Sequence, residues 1–116
     1  TAVSGESLFA SAQKQLADQI TTPNVNLNNH RLWAQHWQET TYPDESNYDQ
    51  ATRPIPDNHW REFYRDVLRD LKEASANVAA ADNDITNPLK PNKLAIIEIL
   101  NVYAYSNLVE TYGNVP

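Results

Sequence analysis

At 116 residues, 41% of them hydrophobic and 21% charged, the chain has the composition of an ordinary folded protein, with room for one small domain or part of a larger one. Its net charge of −6 leaves no cluster of Lys and Arg to neutralise phosphates, which excludes nucleic acid and an anionic membrane surface as partners. Cysteine is absent, which removes disulfides, thiolate metal sites and a Cys nucleophile.

The first predicted helix follows Ser4 and runs to about Ile20, because Leu8, Phe9, Ala12, Leu16 and Ile20 recur at helical spacing. Thr22-Pro23-Asn24 breaks it. A second helix is predicted from Asn28 or Asn29, both good caps, with Leu27 and Leu32 placed as a hydrophobic staple. Leu32, Trp33, His36 and Trp37 line one face of this helix, and Arg31, Gln35, Gln38 and Glu39 fall largely on the others.

The linker Thr41–Pro56 is long for a compact domain. Its aromatics argue against plain disorder. Beyond it, Asp57 or Asn58 is expected to cap a third helix whose stripe comprises Trp60, Phe63, Tyr64, Val67, Leu68, Leu71, Ser75 and Val78. Glu62–Arg65 and Asp66–Arg69 are opposite charges three residues apart on its outer face. This helix fades at Ala79-Ala80-Ala81, and Asp82-Asn83-Asp84 opens a polar loop.

The fourth helix is apolar nearly all round. Leu94, Ile96, Ile97, Ile99, Leu100, Val102, Tyr103, Leu108, Val109 and Tyr112 cover more than one face, so it is expected to be covered on several sides. Pro91 suits its first position and Gly113 the turn past its last. Glu98 and Asn101 interrupt the run, so it does not read as a membrane span. Three other helices cannot cover all of its faces, and the chain reads as the front part of a larger domain. No period-two alternation appears, and the expected class is all-α. The third and fourth helices begin about 34 residues apart, one tetratricopeptide period, although the usual consensus is absent.

Three pieces, in order, carry a resemblance. Trp33-Ala34-Gln35-His36-Trp37-Gln38-Glu39-Thr40-Thr41-Tyr42 runs into Pro43-Asp44-Glu45-Ser46-Asn47-Tyr48-Asp49. Ile55-Pro56-Asp57-Asn58-His59-Trp60 leads to Tyr64-Arg65-Asp66-Val67-Leu68, and the chain ends in LNVYAYSNLVETYGNVP. Together they resemble the SusD/RagB-like outer-membrane nutrient-binding lipoproteins, over most of Leu27 to Pro116. The resemblance implies a tetratricopeptide-like array of about four helices, with residues 1–116 as the N-terminal, incomplete portion of a larger SusD-like domain. It implies a cell-surface protein that binds a polysaccharide or oligosaccharide, or in some members a peptide, and delivers it to a SusC-like TonB-dependent transporter. It also implies a lipid anchor on the bacterial outer membrane. Thr1 opens without a basic region or hydrophobic core, as expected of a mature or trimmed product, and the resemblance implies a signal and an acylated Cys upstream.

The linker is the best candidate site. Sugars need flat rings for their apolar faces and carboxylates and amides for their hydroxyls, and Tyr42, Asn47, Tyr48, Asp49 and Arg53 supply those groups. The competing reading is a loop packed over its neighbours, its polar groups capping turns. Trp33, Trp37 and Trp60 read as core, and His36 as a hydrogen-bonded core histidine. His30 and His36 are six apart, which does not suit a helical zinc pair, and His59 adds no ligand spacing. Asp44, Glu45, Asn47 and Asp49 fail the calcium-loop pattern, because Gln50 stands where Gly is required; Asp82-Asn83-Asp84 lacks the Gly as well.

No paired-carboxylate site, nucleophile motif or phosphate loop is recognisable, and Glu98 reads as an exposed position or a salt-bridge partner, so neither a catalytic residue nor a cofactor is assigned. The alternative to nutrient binding is a helical-repeat module that binds a protein partner.

Overall fold

The computed structural model describes residues 3–81 and 88–116, and over them it is helical with no strand. The expectation for Asp82-Asn83-Asp84 lies outside the described residues. Helix α1 (Gly5–Thr21) leads to the single turn α2 (His30–Trp33); a 3-10 turn (Glu45–Asn47) sits in the linker; α3 (Ile55–Arg61), a π-helical stretch (Glu62–Leu68) and α4 (Arg69–Ala80) form one rod; and α5 (Lys90–Tyr112) closes the fold. The rod lies between α1 and α5 and runs antiparallel to both. At one end Asn77 Nδ2 donates to the Val3 carbonyl and Lys93 pairs with Glu6 at 2.6 Å; at the other, the Tyr112 hydroxyl donates to the Pro56 carbonyl.

Helix α1 starts as its sequence dictates: the Ser4 Oγ accepts from the Ser7 N–H at 3.1 Å. Its end is held by Arg31, whose guanidinium donates to the carbonyls of Thr21 and Thr22. The core gathers Ala12 and Leu16 of α1, Phe63, Val67, Leu71, Ala74 and Val78 of the rod, and Ile97, Ala104 and Leu108 of α5. Gly5 is also buried, against α4. A Cβ there meets Val78 Cγ2 at 2.7 Å and the Ala74 carbonyl oxygen at 3.0 Å.

The predicted third helix is present, with two differences. It begins at Ile55 rather than at a cap on Asp57 or Asn58, and Pro56 occupies its first turn, where a missing N–H costs nothing. It also passes through a π stretch. His59, Phe63 and Val67 are buried at successive steps of four. In an α-helix each such step overshoots a full turn by about 40°. The wider π turn rotates less per residue and keeps the three on one face. Of the two expected ion pairs, Glu62–Arg65 forms at 3.5 Å, while Asp66 pairs with Arg65 at 2.6 Å and Arg69 with Glu73 at 3.2 Å.

The second helix is shorter than predicted. It stops at Trp33 because Gln35 turns left-handed (φ 61°) and the Arg31 carbonyl accepts from the N–H groups of both His36 and Trp37. His36 is consequently exposed and not a core histidine. Trp37 is 46% exposed, its ring under the Arg31 guanidinium at 4.9 Å, so it is not core either. Trp33 and Trp60 are half-buried; Trp60 stacks on Tyr64 at 4.5 Å and meets Tyr112 edge-on at 5.1 Å. Burial pushes the Tyr112 hydroxyl up to about 12.

Along α5 the expected excess of apolar surface is present. Ile97, Ala104 and Leu108 face the core, while Ile96, Ile99, Val102, Tyr103 and Val109 are about half or more exposed, Ile99 at 70%. Glu98 is exposed, without an ion pair among the described residues. Gly113 takes the left-handed φ of 80° and its N–H closes the helix on the Val109 carbonyl at 2.8 Å.

A buried polar relay links the three long elements. Gln19 Nε2 donates to the Leu27 carbonyl at 2.8 Å and to His59 Nδ1 at 2.9 Å, and His59 Nε2 donates to Asn107 Oδ1 at 3.0 Å. The amide nitrogen of Gln19 can only donate, which fixes His59 as the neutral Nε2–H tautomer. Burial lowers the pKa of His59, opposed by the Asn107 bond and assisted by His30, whose ring lies 5.1 Å away and is itself lowered by burial.

Two outcomes follow from this packing. Gly5→Ala is expected to destabilise by about 1–3 kcal/mol despite the better helix propensity of Ala, because the added methyl overpacks Val78 and a backbone carbonyl; a thermal melt measures it. The depressed histidines set a pH dependence. Below about pH 6.5 the unfolded chain takes up protons that the folded one resists. Stability is therefore full above that value and is lost as pH falls toward the lowered folded values. His59→Gln is expected to flatten this part of the curve and to cost about 1–3 kcal/mol through unpaired buried groups; melts across the pH range test both.

Candidate functional site

The linker is ordered by its own side chains. Asp49 makes an Asx turn, its Oδ1 accepting from the N–H of Ala51 at 2.9 Å and of Thr52 at 3.0 Å, while the Thr52 hydroxyl donates to Oδ2. Those bonds hold its carboxyl below the usual range, the Thr52 hydroxyl contributing most. The Tyr48 hydroxyl accepts from Gln35 Nε2 at 2.7 Å and donates to the Trp33 carbonyl at 3.4 Å. Glu39 N–H donates to Ser46 Oγ at 2.8 Å, and Asn29 Nδ2 to Gln50 Oε1 at 3.3 Å. Arg53 pairs with the buried Glu45 at 3.3 Å and donates to Asn26 Oδ1. The loop is thus stitched to α2 and to the α1–α2 connection.

Beside it lies an open groove of about 710 Å³, walled by Asn26, Gln38, Glu39, Tyr42, Asp44 and Arg53 among others. Of the five residues singled out in the sequence, the groove collects Tyr42 and Arg53. The other three stand outside it: Asn47 is exposed in the 3-10 turn, Tyr48 has its hydroxyl engaged and its ring half exposed, and Asp49 shapes the turn. Tyr42 is 76% exposed, and Tyr42 and Tyr48 are both left-handed, at φ 55° and 62°. Non-glycine residues of that kind hold their side chains at a cost of order 1–3 kcal/mol.

Gln38, Glu39 and Asn26 were missed as site residues. The helix predicted through Glu39 placed Gln38 and Glu39 on its outer face, and only the chain reversal at Gln35 brings them to the groove. The exposed indole of Trp37 stands one residue before Gln38. Chemically, the groove offers an aromatic ring, two amides, two carboxylates and a guanidinium to a hydroxyl-rich ligand.

Among the described residues no group of three His, Cys, Asp or Glu is arranged to hold a metal. A second cleft of about 690 Å³ runs between the rod and α5, with Tyr64, Tyr105, Arg69, Lys72, Glu98 and Asn101 on its walls. No helix among the described residues is long and apolar enough to cross a membrane.

The family model SusD-like_2, described as "Starch-binding associating with outer membrane", matches residues 1–116. No curated protein and no solved structure matches the chain. The family's binding description fits an all-helical scaffold with an open, polar and aromatic groove, and the match spans the whole sequence: the chain belongs to the SusD-like family of starch-binding proteins that associate with the outer membrane.

Proposed function

We propose that this protein binds a nutrient glycan or oligosaccharide at the bacterial cell surface and passes it, chemically unchanged, to a SusC-like TonB-dependent transporter. A lipid anchor on a Cys outside this sequence would hold it at the outer membrane. The observation that carries this reading is the family match over residues 1–116, together with an open groove walled by hydrogen-bonding side chains and Tyr42. The linker residues Tyr42, Asn47, Tyr48, Asp49 and Arg53 border the ligand or the transporter. Tyr42 and Arg53 face the groove, and the exposed ring of Tyr48 and the amide of Asn47 lie on the adjoining surface. Residues 1–116 serve as the N-terminal helical portion of the domain, in which the exposed stripe of α5 is covered by further helices.

The second reading, a helical-repeat module for protein partners, is favoured by one observation, the exposed Ile96, Ile99, Val102 and Tyr103.

Replacing Tyr42 and Tyr48 by Ala in the full-length protein separates these roles. Loss of affinity on a glycan panel, with the melting temperature kept, is the expected result for a ligand-bordering loop. Loss of transporter association with intact glycan affinity assigns the loop to docking. Turnover of a glycan by the purified protein removes the binding reading. For the domain reading, residues 1–116 alone are expected to bind a hydrophobic dye through the α5 stripe, and the longer protein is not.

A further inference from the structure

Glu45 is 1% exposed, yet neither of its carboxylate oxygens accepts a hydrogen bond, and Glu39 Oε2 is buried without a partner as well. Buried ionised carboxylates left in this condition are strongly disfavoured. The backbone brings the two together, since the Glu39 N–H is fastened to Ser46 Oγ while Glu45 opens the 3-10 turn. The positive charge beside them is Arg53, whose Nη1 stands 3.3 Å from Glu45 Oε1 and whose other amino group is turned to Asn26. One guanidinium does not balance two carboxylates, and Asp44 adds a third negative charge nearby. A metal ion is a poor remedy, because among the described residues no third ligand completes a site and the guanidinium would repel a cation. A proton fits both the space and the charge.

We propose that Glu39 and Glu45 share one proton in the folded protein, the Glu39 carboxyl donating its O–H to the Glu45 carboxylate, and that this bond clasps the linker shut beside the groove. The assignment gives two of the three orphaned oxygens a hydrogen bond, Glu39 Oε2 donating to one Glu45 oxygen, while Arg53 stands against Glu45 Oε1 as its ion-pair partner. Glu39 is the protonated partner because the Arg53 guanidinium is paired with Glu45, at 3.3 Å from its Oε1. Burial, followed by the bond and charge of Glu45, holds Glu39 above its ordinary 4.5; Asp44 pushes the same way and Arg53 opposes. A folded value raised in this way gives stability that is fully present below about pH 4.5 and is lost as pH rises through the raised value. Above it two buried carboxylates repel, and the wall that Glu39 contributes to the groove loosens.

The test uses the full-length protein in an E62Q background, because Glu62 is also raised by burial and by Asp66. E39Q mimics the protonated carboxyl. The melting temperature of the parent is expected to fall relative to E39Q as pH rises from about 4 to 8, and its infrared spectrum to carry a protonated-carboxyl C=O band at about pH 5 that is weaker in E39Q. A melting-temperature gap that does not change with pH, or a band undiminished in E39Q, overturns the proposal. Should E39Q fail to fold, the band is sought in the parent alone, and its absence at about pH 5 overturns the proposal equally.

Discussion

The imidazole of His59 is the joint on which this fold depends. It accepts one hydrogen bond from α1 and donates one to α5 while sitting on the rod between them. Apolar contacts have no preferred direction and tolerate sliding; a buried donor–acceptor chain does not, because each misplaced group stays unsatisfied. Phe63 and Tyr112 surround the ring and keep water from competing. The Gln19 amide that feeds this joint also holds the Leu27 carbonyl, so the register of the helices and the path of the α1–α2 connection are set by one group.

From that joint the site is built outward. Asn28 donates to the carbonyls at the end of α1, Arg31 takes the next two, and Arg31 then shelves Trp37 and ends α2. The linker closes on this base through side chains and almost no regular backbone structure. Its ion pair, Arg53 with Glu45, is directed inward, so the guanidinium is already engaged within the protein.

The long helices were legible in the sequence because each carries enough apolar residues at helical spacing and a clear boundary: Ser4 and Pro23 around α1, Pro56 in the first turn of the rod, Gly113 after α5. What stayed hidden was tertiary in origin. His36 and Trp37 continue the helical spacing of Leu32 and Trp33, yet the Arg31 carbonyl captures their N–H groups and reverses the chain. The π stretch answers a packing need along His59, Phe63 and Val67 that simple periodicity cannot distinguish from an α-helix. The role of Gly5 depends on a neighbour more than seventy positions away. In the linker the residue types were readable, but whether a given Tyr or Asp faces a groove or folds its own turn is decided by left-handed positions that Tyr42 and Tyr48 gave no sign of adopting.

The antiparallel rod has one more consequence. It sends the α1–α2 connection and the linker to one end of a body 59 Å long, away from the helix contacts around Gly5, Val78 and Lys93 at the other. The linker departs from Trp33 and returns at Ile55, both fixed by helices that meet at His59, so its length changes the closing entropy only slowly. Such an arrangement lets the loop be lengthened, shortened or rewritten while the anchoring bonds stay in place. Change in the linker and preservation of how the chain stacks thus fall on separate residues.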